Sequence, residues 1–290
     1  MHIARLLRKP NHQMTSCALP LIAGFMSDTP LSMATFDVLP PGAIPAATLV
    51  IMRPAADGTD DEILMVKRAA TMVFAAGAVV FPGGRVDPDD HLVAAAHGLD
   101  DDQGEGAARV AAVRETLEET GLAVGWDGMT DADVAAVRAE LLAGTLLSDI
   151  LAVRALRLNL DVLVPFARWC PNFKEARTFD TRFYAVRAPD HGHELTVEEA
   201  EHSHIFWSSA AATLANADRG EISIIFPTRR NLEKLAHCGD FAAFADHAAA
   251  YAVRLVTPWI EDRDGMPHLC IADDLGYPVT SEPLGNVRRG

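Results

Sequence analysis

The sequence is poor in cysteine, in cationic side chains and in long apolar runs, and each shortage excludes something. Its four cysteines, Cys17, Cys170, Cys238 and Cys270, stand far apart with no C-x-x-C pair. That spacing excludes a disulfide framework and a zinc ribbon, and a reducing cytoplasm is the expected compartment. No apolar run reaches the roughly 18 residues of a membrane-spanning helix, so no membrane partner is expected. Only 25 Lys and Arg oppose 40 Asp and Glu in 290 residues, a formal net charge of −15. Binding to a nucleic-acid backbone needs a basic face, so duplex nucleic acid is excluded as a partner. A small phosphorylated ligand is not excluded, because a bound divalent cation reverses the local sign.

What is present is a globular chain, 49 % hydrophobic and 22 % charged, which excludes wholesale disorder. Residues 1–42 are expected to be a disordered leader ending in the Pro-rich LPPGAIP. Arg5, Arg8 and Lys9 before the apolar Cys17–Met26 imitate a signal peptide. The run is short, holds Pro20 and lacks a small-x-small cleavage site, so a leader, or a start at Met26 or Met33, is preferred. Residues 43–290 are expected to form one domain.

Within it, Ala47–Pro54 and Glu62–Arg68 read as strands joined by a hairpin loop, and Ala76–Gly84 as a strand entering a Gly turn. An acidic loop is expected next, running through Asp87, Asp89 and Asp90 to Asp100–Asp102. Ala107–Thr120 has apolar residues at helical spacing, and Gly121 is placed to end that helix. Thr130 is placed to cap a helix to Gly144, with another expected just beyond it. Strands follow around Asp161–Trp169, Arg177–Ala188 and His204–Ser209, then helices over Pro227–Cys238 and beyond Phe241. The mixture predicts an α/β (α+β) fold, a mixed sheet covered by helices.

The informative segment is Arg114–Gly121, RETLEETG. A helix turns ~100° per residue, which puts Glu115, Glu118 and Glu119 on one face. Like charges at that spacing destabilise a helix, and its C-terminal end disfavours anions. A hard divalent cation, Mg²⁺ or Mn²⁺, would offset both. Arg114 can orient a neighbouring carboxylate through its planar fork. Alone, such a cluster reads more simply as a solvated acidic face; the Gly-Gly turn upstream and Gly121 downstream favour a site.

With these residues in view, the sequence resembles the Nudix hydrolase superfamily, whose box reads G-x5-E-x7-R-E-U-x-E-E-x-G-U, U being aliphatic. Its second half is Arg114–Leu122, with Thr116 where an aliphatic residue is usual. Its first half begins with FPGG, Phe81–Gly84. Gly84 and Glu115 stand 31 positions apart, against 15 in the pattern. The box is therefore interrupted by an insertion, expected at about residues 85–104. Counted back from Arg114, the box's first Glu falls on Gly106, with Glu105 one position away. An interrupted box resembles the peroxisomal coenzyme A diphosphohydrolase-like subfamily. The stretches Ile63–Asp87, Arg168–Val186, Phe226–Leu235 and Pro258–Pro278 are similar to that subfamily as well. Of the coenzyme A signature before the box, Leu64, Arg68, Ala69 and Gly77 keep their places, while Val73 replaces an expected Arg.

The resemblance implies a Nudix-type α/β/α sandwich with a mixed sheet, a helical insertion and C-terminal helices, and the hydrolysis of a nucleoside diphosphate derivative. Coenzyme A or acyl-coenzyme A leads, giving 3′,5′-ADP and (acyl-)4′-phosphopantetheine; NADH, ADP-ribose, a nucleotide sugar or a silent binding module are the alternatives. It implies Glu115, Glu118 and Glu119 as ligands of Mg²⁺ or Mn²⁺, with Arg114 beside them and Glu201 as general base ahead of Glu198 and Glu199. Arg68, Gly83, Gly84 and Arg182 are the candidates for substrate contact. Asp180 and Arg182 share a strand face, which reads as an ion pair. His191, His193, His202 and His204 are expected in exposed loops, and Trp169 and Phe179 in the core.

Overall fold

The computed structural model describes residues 39–69, 75–99, 103–171, 177–189, 195 and 202–287. They belong to one compact unit, Phe36–Gly290.

The chain opens with β1 (Ile44–Arg53), β2 (Glu62–Arg68), β3 (Val79–Val80) and β4 (Gly83–Arg85). Helices α1 (Pro88–Ala96) and α2 (Glu105–Thr120) follow, then the short β5 (Trp126–Asp127), α3 (Asp131–Leu142), α4 (Leu147–Arg154) and β6 (Arg157–Leu158). The second half brings β7 (Val164–Trp169), β8 (Phe179–Arg187), β9 (His202–Ser209), α5 (Ala210–Asp218), α6 (Phe226–Cys238), α7 (Phe241–Ala249) and β10 (Leu255–Val256). Three strands, β11 (Trp259–Arg263), β12 (Met266–Cys270) and β13 (Ser281–Pro283), close the chain as a separate antiparallel sheet.

Eight strands form the main sheet, in the order β10-β7-β8-β1-β2-β3, with β4 added on β1 and β9 on β2. It is mixed, as expected: β1–β8 and β10–β7 are parallel, and the other pairs antiparallel. A parallel pair needs a long crossover, and the chain from α1 to β7 lies between β1 and β8 in sequence. Strand β1 carries the design. Period-2 alternation sends Leu49 and Ile51 into one core and Val50 and Met52 into the other. On β8, Tyr184 and Val186 join the first core, and Phe183 and Ala185 the second. Helix α2 packs in the first core and helices α6 and α7 in the second, the two outer layers of an α/β/α sandwich. Ile51 is fully buried, so truncating it to Ala would cost about 2–5 kcal/mol.

Thr130 caps α3 as expected, with its hydroxyl accepting from the Asp133 amide at 3.2 Å. The acidic segment after Gly84, read locally as a loop, opens the insertion with a helix, as the fold expectation had it: Asp87, Pro88 and Asp90 are N-cap, first-turn proline and capping-box residue of α1. Residues 210–218, for which the sequence suggested no element, form α5, capped by Ser209.

Candidate functional site

Helix α2 starts after Gly104 and ends at Gly121, whose left-handed backbone (φ 75°) lets its amide reach the Leu117 carbonyl at 3.0 Å. Ala107, Ala108, Val110, Ala111 and Leu117 fix the helix in the core. That anchorage leaves its last two turns to present Arg114, Glu115, Glu118 and Glu119 towards β4. The approach is close, and the glycines permit it. A Cβ on Gly84 would overlap the Glu115 carboxylate. Gly83 has φ +149°, and a Cβ there would meet the Ala47 carbonyl.

Arg114 is the hub. It is buried, and every guanidinium nitrogen has a partner. Nε and Nη2 donate to the two oxygens of Asp90, both at 2.9 Å. Nη1 donates to Glu115 at 3.0 Å and Glu118 at 3.2 Å, and Nη2 also to the Arg85 carbonyl at 3.0 Å. Asp90 is completely buried and lies on α1, inside the interrupted box. It stands six positions after Gly84, the place of the box's first Glu counted forward from the glycine. The extra residues therefore fall after Asp90, and the carboxylate sought near Gly106 is here. Gly106 has no room for a side chain, because its Cβ would run into the Leu99 carbonyl. Glu105 turns elsewhere, to Arg109 at 3.0 Å and Arg182 at 3.2 Å. Counting from Gly84 as well as from Arg114 would have found Asp90.

Glu119, 3 % exposed, accepts the Gly83 amide at 2.9 Å on one oxygen. Its other oxygen lies 3.5 Å from Nε2 of His202. His202 corrects the expectation of an exposed loop histidine. It is 1 % exposed, begins β9 and pairs with Arg68 across the sheet. Neither ring nitrogen has a closer partner among the described residues. Burial, helped by the Arg68 charge, lowers its pKa to about 4, so the ring is neutral at pH 7. His204, two residues on, is exposed as expected, though on the strand.

The electrostatics follow from crowding. Burial raises the Glu115 pKa to about 7; Arg114 opposes this and Glu118 adds to it. Glu118 is raised for the same reason, burial, again against Arg114. Burial pulls the Arg114 pKa down, but the Asp90 hydrogen bonds and the fields of Glu115, Asp90 and Glu118 win and raise it. One arginine thus faces more carboxylate than it can neutralise.

Among the described residues no three His, Cys, Asp or Glu side chains already converge as a ligand shell. The donors nevertheless suit a hard divalent cation. Glu115 and Glu118 both contact one nitrogen of Arg114, so their oxygens meet within reach of one point. Glu119 lies one turn from Glu115 on the same face. Carboxylate oxygens are the donors that Mg²⁺ and Mn²⁺ take.

Gly83, Gly84, Glu115 and Asp87 line a cleft of about 540 Å³, with Arg68, Arg85 and Arg177 also on its wall. In a chain of net charge −15 this cleft gathers three arginines. Phe81, Phe179 and Phe183 give it an apolar side. Phe179 is half-buried on this wall; Trp169, which also reaches it, is core as expected, its Nε1 donating to the Tyr277 hydroxyl at 2.9 Å. Arg182 is not on the cleft wall. Its guanidinium ties the sheet to the start of α2, through the carbonyls of Gln103 at 2.5 Å and Gly104 at 3.3 Å and through Glu105. Asp180 pairs with Arg168 at 2.7 Å rather than with Arg182. Asp89 holds the Ser148 hydroxyl and amide at 2.6 and 2.9 Å, locking α1 to α4. Glu198, Glu199, Glu201, His191, His193 and Asp100–Asp102 lie outside the described residues.

Compared with known proteins, residues 44–133 match the family model described as NUDIX domain. A NUDIX hydrolase from Alicyclobacillus acidocaldarius shares 30 % identity at a TM-score of 0.61, over 70 % of this chain and 96 % of that one. A MutT protein from Methanosarcina mazei Go1 aligns at 16 % identity and TM-score 0.37, over 69 % and 97 % of the two chains. The NUDIX domain of Shewanella oneidensis NrtR, solved with ADP ribose, aligns at 13 % and 0.38, over 67 % and 86 %. No curated protein matches the chain.

Proposed function

The chain belongs to the Nudix hydrolases, and from that premise we propose that it cleaves the diphosphate bridge of coenzyme A or acyl-coenzyme A. One observation carries the reading: Glu115 lines an arginine-walled cleft, and Arg114 and the Gly83 amide hold Glu118 and Glu119 beside it. Glu115, Glu118 and Glu119 would hold Mg²⁺ or Mn²⁺, which when bound polarises phosphoryl oxygens and lowers the pKa of the attacking water. Arg114 is a positioning residue: with Asp90 behind it, it fixes two of the three carboxylates before substrate arrives. Gly83 and Gly84 let β4 sit against the Ala47 backbone and the Glu115 carboxylate, which places the cation-binding carboxylate on the cleft wall beside the site for the diphosphate. Arg68 supplies positive charge on the cleft wall, where charge collects on phosphoryl oxygens in the transition state. Glu201 is assigned as general base; it directly precedes His202, the residue against Glu119. Arg182 is assigned the structural role its partners describe. The free thiols Cys170, Cys238 and Cys270 fit a reducing compartment, the cytoplasm. Among the described residues no helix is long and apolar enough to cross a membrane.

Coenzyme A leads over NADH, ADP-ribose and nucleotide sugars on the interrupted box and the stretches that accompany it. The test is incubation with Mg²⁺ or Mn²⁺ and a panel of coenzyme A, acetyl-coenzyme A, NADH, ADP-ribose and nucleotide sugars, with products resolved by chromatography. Coenzyme A should give 3′,5′-ADP and 4′-phosphopantetheine. Turnover of another member with coenzyme A untouched would replace the substrate. Cleavage of none, with Glu119→Gln binding them like the wild type, would sink the mechanism.

A further inference from the structure

The cleft has a second polar feature, away from the glutamates. Beside β3, the Val79 amide donates to the Ser223 carbonyl at 2.7 Å. That bond fastens the lead-in to α6 along the sheet edge, and Ile225, Pro227 and Thr228 of its first turn line the cleft. Helix α6 has 13 residues, and Ile225 at its N-cap provides no side-chain acceptor. The end of such a helix favours an anion through its free amides and its dipole.

Thr228 points to a ligand independently. It is 4 % exposed and faces the cleft, yet its hydroxyl has no hydrogen-bond partner among the described residues. Thr120 donates to the Thr116 carbonyl at 2.6 Å and Thr213 to that of Ser209 at 3.0 Å, while the Thr116 hydroxyl is sealed in the core without a partner. The Thr228 hydroxyl, unlike that of Thr116, is not sealed in the core but opens on the cleft, where a ligand oxygen can pair with it. Arg177, exposed on the same wall, adds a full positive charge.

We infer that the first turn of α6, with Thr228 and Arg177, binds a phosphate monoester that the substrate carries apart from its diphosphate bridge. The inference rests on the proposed cleavage of a diphosphate at α2. A phosphate monoester brings a charge of about −1.5 to −2 at pH 7 and three acceptor oxygens. Those oxygens match a hydroxyl, a helix end and a guanidinium, all donors. The substrate is then a nucleotide with a phosphorylated ribose, the diphosphate lying at Gly84 and Glu115 and the monoester at α6.

The test uses the full chain with Mn²⁺ and substrate pairs that differ only in that phosphate: coenzyme A against dephospho-coenzyme A, and NADPH against NADH. In whichever pair is cleaved, kcat/KM should favour the phosphorylated member by about tenfold or more, and Thr228→Val should shrink that ratio about tenfold. Thr228→Val is nearly isosteric and its fold is checked by circular dichroism; Arg177→Gln, a surface change, should shrink the ratio as well. Calorimetric titration of 3′,5′-ADP against AMP reads the same preference without turnover, and free inorganic phosphate should compete with the former. Equal kcat/KM within each cleaved pair, or equal binding of the two nucleotides, would overturn the monoester site and leave the hydrolase intact. Cleavage of NADPH over NADH with coenzyme A untouched would remove the coenzyme A reading and keep the site.

Discussion

Helices α2 and α6 lie on opposite faces of one sheet, and both bury arginine, with opposite results. Arg114 on α2 has a partner at every nitrogen, and its pKa is raised. Arg230 on α6 is 2 % exposed, its Nε is unpaired, and burial lowers its pKa despite Glu233 and Glu282 at 2.9 Å. Burial is similar; the number of carboxylates differs. Asp90, Glu115 and Glu118 all bond to Arg114, with Asp87 at 3.8 Å. On α6 Arg229 and Arg230 pair with Asp218, Glu233 and Glu282, and Lys234 adds a third cation held by a carbonyl. So α2 is anionic and calls for a cation, whereas α6 is balanced. The acid excess of the chain is left uncompensated at one end of one helix.

Removing each arginine should expose that difference most strongly. Arg114→Met leaves Asp90 as a fully buried, unpaired charge, at a cost of about 3–5 kcal/mol. Arg230→Met leaves two carboxylates that retain some access to water. Burial, against the pull of Arg230, has already raised the Glu233 pKa to about 7, so that carboxyl can take up a proton. The expected loss is about 1–2 kcal/mol. Urea unfolding followed by circular dichroism measures both; equal losses would erase the distinction between the helices.

Activity should divide in the same way. Glu119→Gln keeps the shape and the contact with Gly83 but removes a charge, and kcat should fall roughly 10²- to 10³-fold. Glu233→Gln on α6 should leave kcat within about twofold, since no cleft residue touches it. Steady-state kinetics on whichever member of the panel is cleaved decides it. A loss of the same size from Glu233→Gln would mean that catalysis depends on charge buried anywhere along the sheet.

The α2 half of this contrast was legible in the sequence, because its signals are local. Helical spacing put Glu115, Glu118 and Glu119 on one face, and the Gly-Gly turn named the facing wall. Asp90 was missed because the insertion broke the count from the arginine side. His202 was missed because a lone histidine on a strand has no local signature; only the pairing of β9 with β2 brings it to Glu119. The sheet was visible through alternation in β1 and β8, while the short strands β11, β12 and β13 have too little pattern to declare themselves. Arg182 looked like a ligand residue because strand parity gives a face but not the element that covers it. The buried charge on α6 was hidden for a like reason: Pro227–Cys238 reads as an amphipathic helix, and the Leu275 and Tyr277 partners of Lys234 are some 40 residues away.

Lys234 sharpens the α6 side. Its Nζ donates to the Leu275 carbonyl at 2.9 Å and lies 3.9 Å from the Tyr277 ring centre, with no carboxylate in that pair of contacts. Burial lowers its pKa to about 8. In the unfolded chain the value is about 10.4. Between the two, the unfolded state binds more protons, so stability rises with pH. The penalty is fully present below about pH 8 and fades towards pH 10.4. Relative to Lys234→Met, the wild type should therefore gain about 2–3 kcal/mol over that window. A gap that stays flat between pH 8 and 10 would mean that Lys234 is buried without cost.

The smallest effect expected belongs to His202, and it tests how finely α2 is tuned. The neutral ring can give one N–H to Glu119, but at 3.5 Å the contact is loose. Its service is to hold the carboxylate whose other oxygen takes the Gly83 amide. Losing a partner of this kind costs a metal site about tenfold in affinity at the low end. His202→Ala should weaken Mn²⁺ binding by about that factor, read by calorimetric or electron paramagnetic resonance titration. His202→Gln, which restores an N–H donor, should recover part of it. A change confined to thermal stability, with Mn²⁺ affinity unmoved in both variants, would make His202 a core residue and leave Glu119 positioned by Gly83 alone.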